Sequence, residues 1–186
     1  MEPCYTTAMN VTRKLPIGVQ SFKVLRNDRY LYVDKTAYIA QLAAGSRVYF
    51  LSRPRRFGKS LFLSTLKAYF RGQKELFTDL YIEKAEEEQA AQENRSAWQE
   101  YPVFYLDFNI GNYNCMETLT ENLNIFLSQL EGLYGSSDIE ESSAKRFAGL
   151  LERAYKQTGK QAVILVDEYD KPLLQTMGSN EELNEK

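Results

Sequence analysis

Three consecutive residues, Gly58, Lys59 and Ser60, carry the clearest chemistry in this chain of 186 residues. They follow the apolar segment VYFL and precede LFLSTLKAYF, whose apolar residues recur at helical spacing. They therefore lie where a predicted strand passes into a helix, and a helix N-terminus offers an anion unpaired N–H groups and a partial positive charge. Glycine lets the backbone approach a phosphate oxygen, the lysine can reach β- and γ-phosphates, and the serine hydroxyl can ligate Mg²⁺.

The loop before this triplet departs from the full phosphate-loop pattern, GxxxxGK[ST], because Arg53 occupies the position of the first glycine. Its arginines have two open interpretations. They contact phosphates or an acidic partner, or they cover the sheet edge and pair with carboxylates such as Asp107 or Asp170. The candidate nucleotide-binding residues comprise the whole loop and the start of the helix: Arg53, Pro54, Arg55, Arg56, Phe57, Gly58, Lys59, Ser60 and Leu61.

A second constellation follows the most apolar segment of the chain, AVILV at 162–166, which runs directly into Asp167 and Glu168. Ligands of open α/β sheets bind at the carboxyl ends of the strands. Asp167 and Ser60 are the predicted Mg²⁺ ligands, and Glu168 could orient or deprotonate an attacking water. Glu168 and Lys59 are the predicted catalytic residues. Each motif alone could be an ordinary helix start or a charged turn, but together and in this order they favour ATP and Mg²⁺ as ligands.

Composition excludes several other chemistries. The chain has no histidine, which removes Ser-His-Asp and Cys-His catalysis and histidine-ligated metals. Its two cysteines, Cys4 and Cys115, cannot form a four-ligand zinc site or a CxxC pair. The net charge of −2 does not indicate a general nucleic-acid or membrane-surface binder. No apolar run approaches the ~20 residues that span a bilayer, and MEPCYTTAMNVTRK lacks the features of a secretory signal, so a cytoplasmic protein is expected.

The predicted elements alternate between short apolar strands and longer helices. Strands without polar alternation are typical of sheets buried on both faces, so the sequence predicts an α/β fold with a mostly parallel sheet covered by helices. Residues 1–14 are predicted to be flexible. The predicted strands are 29–33, 48–51, 103–106 and 162–166. The predicted helices are 35–44 with Asp34 as N-cap, 61–70, 83–100, one containing Leu119 to Leu133, and one starting at a Ser137–Glu140 capping box and ending at Gly159.

Four segments resemble the bacterial AAA-ATPase-like family of predicted ATPases, which often precede a PD-(D/E)XK nuclease-like domain. They are LPIGVQSFKVLRNDRYLYVDKT, SRPRRFGKSLFLSTLKAYF, VFYLDF and VILVDEYDKPLL, and the resemblance covers residues 15–186. The RPRR loop is the family's own form of the phosphate loop. The resemblance implies a P-loop NTPase-like sheet, Asp167 as the Walker-B acid and Glu168 as the catalytic glutamate. It also implies that residues 16–22, with Asp34, Lys35 and Thr36, lie near the base or brace the loop.

Related chains continue past DEYDKPLL, and in this class of P-loop ATPases the next strand inserts between the Walker-A and Walker-B strands and carries a sensor residue. The chain ends at Lys186. We therefore expect an ATP-binding domain truncated after the Walker-B strand, with a gap at the centre of its sheet or with its two motif strands paired directly. If the domain is truncated in this way, ATP hydrolysis by this chain alone is in doubt. A homo-oligomer or a C-terminal nuclease-like domain are the expected partners in full-length relatives.

Two other functions stay open at this point. In the first, the chain is a non-catalytic interaction or nucleic-acid-binding module that uses the basic RPRR loop, and its binding would weaken steeply as salt rises. In the second, the chain is a kinase that transfers a phosphoryl group to a small molecule and binds its nucleotide through the same phosphate loop. The adjacent acids of VDE favour water as the phosphoryl acceptor over a second substrate.

Overall fold

Two strands and seven α-helices form in the described part of the chain, which comprises residues 13–45, 47–52, 54, 56–109, 111, 113 and 116–176 of a computed structural model. Most of the segment predicted to be flexible, together with Cys4 and Cys115, lies outside these residues. The elements are α1 (Phe22–Asn27), α2 (Ala37–Ala44), α3 (Lys59–Phe70), a 3-10 helix (Lys74–Phe77), α4 (Tyr81–Gln92), β1 (Val103–Asp107), α5 (Met116–Tyr134), α6 (Ser143–Thr158), β2 (Val163–Asp167) and α7 (Lys171–Thr176).

The sheet consists of β1 and β2, which pair in parallel from Val103 opposite Val163 to Asp107 opposite Asp167. The helices α5 and α6 form the crossover between the two strands. This arrangement of a parallel sheet flanked by helices agrees with the predicted α/β class. Because both strands run in the same direction, their terminal aspartates lie side by side at one end of the sheet.

Helices cover the sheet unequally. One face contributes Val103 and Leu165 to the larger core cluster, which also contains Phe22 and Leu66 of α1 and α3. The other face presents Phe104 to the α5–α6 pair, where it packs in a second cluster with Leu127, Leu130, Leu150 and Ala154. Burial of one such large apolar side chain contributes about 1.5–3 kcal/mol. Packing of α3 on the first face, where it contacts both strands, sets its position relative to the sheet.

The expectation that every strand is buried on both faces is wrong for β2. Ile164 and Val166 are 45% and 39% exposed, because the α5–α6 pair packs over Phe104 of β1. The expectation that the two motif strands pair directly is also wrong. Within the described residues β2 pairs with β1, and the segment before the phosphate loop forms no strand.

Residues 48–51 are that segment, and their prediction as a buried strand is wrong. Val48 is 86% and Phe50 is 70% exposed, and the Phe50 ring contacts the ring of Tyr169 with centroids 5.6 Å apart. An apolar segment becomes a strand only when a neighbour bonds its backbone, and no described strand lies beside this one. Residues 29–33 likewise form no strand.

The helices were predicted more accurately, apart from some of their ends. The helix after the phosphate loop is confirmed as α3, and Gly159, with φ of 67°, caps the end of α6 as expected. The predicted capping box is wrong, because Ser142 caps α6 and accepts a hydrogen bond from the Lys145 N–H. The helix predicted over 83–100 ends at Gln92. The chain then turns through Asn94, which has φ of 52°.

Asp34 and Thr36 connect two helices that are distant in sequence. Asp34 Oδ1 accepts hydrogen bonds from the Thr36 N–H and hydroxyl at 2.8 and 2.7 Å. Asp34 Oδ2 accepts from the Tyr81 N–H at 2.7 Å, and Thr36 Oγ1 accepts from the Ile82 N–H at 3.1 Å. These two side chains therefore cap the first turn of α4, where the N-cap residue Leu80 has no side-chain acceptor. Burial alone would raise the pKa of Asp34, but these hydrogen bonds lower it below its usual value.

We expect Asp34→Ala to lower the free energy of unfolding by about 1–2 kcal/mol, since it removes the acceptor for N–H groups at the starts of α2 and α4. Chemical denaturation followed by circular dichroism measures this loss. Asp34→Asn is the matched variant, because its Oδ1 still accepts from Thr36, and it should lose less. Equal stability of Asp34→Ala and the parent chain would contradict the capping role.

Among the described helices, none is both long enough and apolar enough to cross a membrane.

Candidate functional site

A cavity of about 250 Å³ opens at the end of the sheet where β1 and β2 terminate. Its walls come from the start of α3, from the ends of both strands and from the segment before α1. Ser60 and Asp167, the two predicted metal ligands, both line it. The lining residues are Gln20, Ser21, Ser60, Ser64, Lys67, Tyr105, Asp107, Asn109 and Asp167.

The first turn of α3 begins at the predicted phosphate-binding triplet. Gly58 has φ of 74°, a left-handed conformation in which a side chain is strained, and its carbonyl accepts from the Phe62 N–H at 3.0 Å. In the described part of the chain no side chain caps this turn, so its first N–H groups lack the usual side-chain acceptor. Lys59 and Ser60 start the helix, with both side chains partly exposed. This helix start can bind an anion through backbone groups and dipole together.

The rest of the predicted loop has a less regular backbone. Pro54, Arg56 and Phe57 are exposed, and Arg56 has φ of 66°, a conformation that costs a non-glycine residue about 1–2 kcal/mol. Arg53 and Arg55 lie outside the described residues. Leu61 differs from the others because it packs against the larger core cluster and so supports α3 from inside.

Asp167 is a buried carboxylate, 4% exposed, at the end of β2. The Tyr105 hydroxyl donates to its Oδ2 at 3.3 Å, and the Glu168 N–H donates to its Oδ1 at 3.0 Å. Burial raises the pKa of Tyr105, and the charges of Asp167 and Asp107 raise it further. The phenol therefore stays protonated and orients the Asp167 carboxylate as a fixed donor.

Glu168 occupies the turn between β2 and α7. Its φ of 52° is left-handed, and β2 ends at the residue before it. Its carbonyl accepts from the Lys171 N–H at 3.0 Å. Among the described residues that line the cavity, the second carboxylate is Asp107 and not Glu168.

Comparison with known proteins bears on this arrangement. The AAA-ATPase-like family, described as "Predicted AAA-ATPase", matches residues 16–186. The chain belongs to this family. The family match confirms the resemblance that the phosphate loop and the VDEYDKP segment carry.

One relative of this AAA-ATPase-like chain is the "Uncharacterized protein in vnfD 5'region" of Azotobacter chroococcum mcd 1. The two are 38% identical over 167 residues, which cover 89% of this chain and 30% of the relative. The chain therefore spans less than a third of the length of that relative. No solved structure matches the chain.

Several cavity residues of the AAA-ATPase-like chain were missed from sequence. Ser64 and Lys67 lie four and seven residues after the predicted Ser60 on α3, a spacing that places all three on one helix face and could have revealed these two. The Lys67 Nζ lies 4.4 Å from the centroid of the Tyr105 ring. Burial lowers the pKa of Lys67 and nearby Arg71 lowers it further, while Asp107 opposes both. Asp107 is the last residue of β1, as Asp167 is the last residue of β2. An acid directly after an apolar segment was visible in the sequence at both positions.

The family resemblance also predicted that residues 16–22 lie near the base or brace the loop. Gln20 and Ser21 line the cavity, and the Phe22 N–H donates to Ser64 Oγ at 3.0 Å, so this segment lies against α3 at the site. Asp34 and Thr36 instead cap α4. The observed hydrogen bonds of these two side chains are therefore structural, because they hold the start of α4.

The donor set of the cavity fits Mg²⁺. Its potential ligands are oxygens, from the Ser60 hydroxyl, the Asp167 and Asp107 carboxylates and the Asn109 amide. Mg²⁺ usually takes one or two carboxylates and keeps several waters or phosphate oxygens. The described residues contain no group of three or more His, Cys, Asp or Glu that could hold a metal. Waters or the oxygens of a bound ligand would complete the coordination of Mg²⁺ here.

Proposed function

We propose that this chain binds Mg-ATP in the cavity between α3 and the sheet, as a P-loop NTPase domain over residues 15–186. The observation that carries the proposal is the meeting of Ser60, at the uncapped start of α3, with Asp167, at the end of β2, in one cavity. These residues are far apart in sequence and belong to the two motifs from which Mg-ATP binding was predicted. The family's description as a predicted AAA-ATPase supports the same ligand.

In this proposal each part of the site has one task. The N–H groups at the start of α3, together with Lys59, bind the β- and γ-phosphates. Ser60 and Asp167 would hold Mg²⁺, which supplies positive charge to the phosphate oxygens. The exposed residues Pro54, Arg56 and Phe57 would lie beside the bound nucleotide. Arg53 and Arg55 lie outside the described residues and stay predicted nucleotide-binding residues. The proposed reaction class is hydrolysis of ATP to ADP and phosphate, with Glu168 the sequence-based candidate for activating water.

Titration calorimetry with the non-hydrolysable analogue AMP-PNP tests the proposal. We expect binding in the presence of Mg²⁺ and at least about tenfold weaker binding in EDTA, because the metal offsets phosphate charge beside the Asp167 carboxylate. Circular dichroism and a cooperative melt establish that the sample is folded. Folded protein that binds no AMP-PNP would reject the proposal.

A parallel titration with duplex DNA over a range of salt concentrations distinguishes Mg-ATP binding from the alternative of a nucleic-acid-binding interaction module. That alternative predicts binding that needs no Mg-ATP and weakens steeply as salt rises. The cytoplasmic location, the homo-oligomer and the nuclease-like partner domain stay predictions.

A further inference from the structure

Among the described residues that line the cavity at the end of the sheet, Lys67 is the one with a positive charge. It lies on α3 about two helical turns after Ser60 and is partly buried. Its Nζ lies 4.4 Å from the centroid of the Tyr105 ring, over a residue of β1. The proposed function gives Lys67 no task, although its charge lies inside the proposed site.

Two carboxylates share the cavity with this ammonium. Asp107 and Asp167 are register partners at the ends of adjacent parallel strands, which lie about 4.8 Å apart. Asp167 is buried, so salt and water screen little of the repulsion between two negative charges that are held this close. A cation in the same cavity offsets this repulsion while no metal is bound.

The Lys67 ammonium is connected to both acids. The ring below its Nζ belongs to Tyr105, whose hydroxyl donates to Asp167 Oδ2 at 3.3 Å. The charge of Asp107 acts to raise the pKa of Lys67 against the effect of burial, because a nearby anion favours the charged ammonium. Lys67 forms no direct ion pair within the part of the chain that the structure describes. Its charge therefore acts on the whole cavity.

We infer that Lys67 is the internal counter-cation of this site and determines how strongly nucleotide binding depends on Mg²⁺. This inference rests on the proposed function. In the metal-free cavity the ammonium offsets the charges of Asp107 and Asp167, so that phosphate oxygens can approach these acids. Bound Mg²⁺ supplies positive charge at the same place, and the ammonium then opposes metal binding. Lys67 therefore favours the metal-free nucleotide complex relative to the complex with Mg²⁺.

Lys67→Met tests this role with little risk to the fold. The variant removes the charge but keeps an unbranched side chain over the Tyr105 ring, and methionine is a good helix former. We expect the affinity for AMP-PNP in EDTA to fall by about tenfold, because the phosphates then meet the two acids without a counter-cation. In saturating Mg²⁺ the affinity should change by less than about threefold, because the metal has already offset part of the phosphate charge. Titration calorimetry under both conditions gives the two affinities.

The ratio of the affinity in Mg²⁺ to the affinity in EDTA is the readout that a merely structural role does not move. Lost packing, or a lost direct contact with phosphate, would weaken binding under both conditions and leave this ratio at the parent value. Lys67→Arg retains the charge and should keep the ratio within about threefold. Lys84→Met is the matched control, since it removes the same charge from the exposed side of α4, outside the cavity lining, and should also keep the ratio.

The outcomes separate the inference from the function on which it rests. An unchanged or lower ratio in folded Lys67→Met would overturn the inference and leave the proposal of Mg-ATP binding intact. An equal rise in Lys84→Met would also overturn it, because the effect would then come from net charge and not from the cavity. A parent chain that binds AMP-PNP with Mg²⁺ but not in EDTA would overturn it as well, since there would be no metal-free complex for Lys67 to support. A folded parent chain that binds AMP-PNP under neither condition rejects the proposed function and the inference together.

Discussion

Lys59→Ala is expected to lower the affinity of the chain for Mg-AMP-PNP by at least about 100-fold, which corresponds to about 2.7 kcal/mol. Lys59 is the first residue of α3, directly after Gly58, where the helix start and a lysine ammonium can contact the same phosphate oxygens. Charge-assisted hydrogen bonds to phosphate are about twice as strong as neutral ones. Titration calorimetry at fixed Mg²⁺ measures the change directly.

The structure also predicts that this variant folds normally. The Lys59 side chain is partly exposed, and alanine is the best helix former, so the melting temperature should not fall. Lys84→Ala on the exposed side of α4 is the matched control, since it removes the same charge away from the cavity and should leave the affinity unchanged. Unchanged affinity in folded Lys59→Ala would reject the assignment of the phosphate site.

Sequence predicted best those features that have local causes. The helix α3 is encoded by apolar residues at helical spacing, and the end of α6 by Gly159, whose positive φ few other residues tolerate. The strands β1 and β2 were found because each is a short, almost uninterrupted apolar run. The parallel pairing followed from the helices that separate them.

Sequence failed where structure depends on a distant partner. Residues 48–51 have the composition of a strand but no described neighbour with which to pair. Ile164 and Val166 have the composition of core residues but stay 45% and 39% exposed in the described part of the chain. Capping of α4 by Asp34 likewise depends on contacts between segments far apart in the chain. None of these outcomes is visible in a local window of sequence.

The candidate site shows the same division. Gly58, Lys59, Ser60 and Asp167 were predicted from recognisable helix-start and strand-end patterns, and two of them, Ser60 and Asp167, line the same cavity. Asp107 was not selected from the sequence because its place at the cavity depends on the strand register, which sets it opposite Asp167. Glu168 was predicted because it follows Asp167 directly and because the family resemblance implies a catalytic glutamate there; it lies in the turn after β2, and its catalytic role stays a prediction.

The largest stability effect that we expect comes from Glu86 on α4, whose side chain is 3% exposed. It accepts hydrogen bonds from the Tyr69 hydroxyl and from Arg95 Nη1, both at 2.6 Å, and from the Trp98 N–H at 3.2 Å. Burial alone would raise the pKa of Glu86, but these donors and the Arg95 charge hold it below its usual value. The carboxylate thus joins α3, α4 and the turn that leads to β1.

Glu86→Ala should lower the free energy of unfolding by about 2–3 kcal/mol, because it leaves the Tyr69 hydroxyl and the Trp98 N–H without their acceptor and takes one of its two carboxylate partners from Arg95, which keeps Glu93. Since the native pKa is lowered, the stabilisation by Glu86 is present above pH 4.5, the usual value for glutamate, and is lost as pH falls through the native pKa. The difference between parent and variant should therefore be constant near neutral pH and should narrow in acid. Urea unfolding at a series of pH values measures both effects.

Glu87→Ala is the control. The Glu87 carboxylate forms an exposed ion pair with Lys74 and should contribute little to the free energy of unfolding. A loss in Glu86→Ala no larger than that in Glu87→Ala would show that the carboxylate does not hold these elements together.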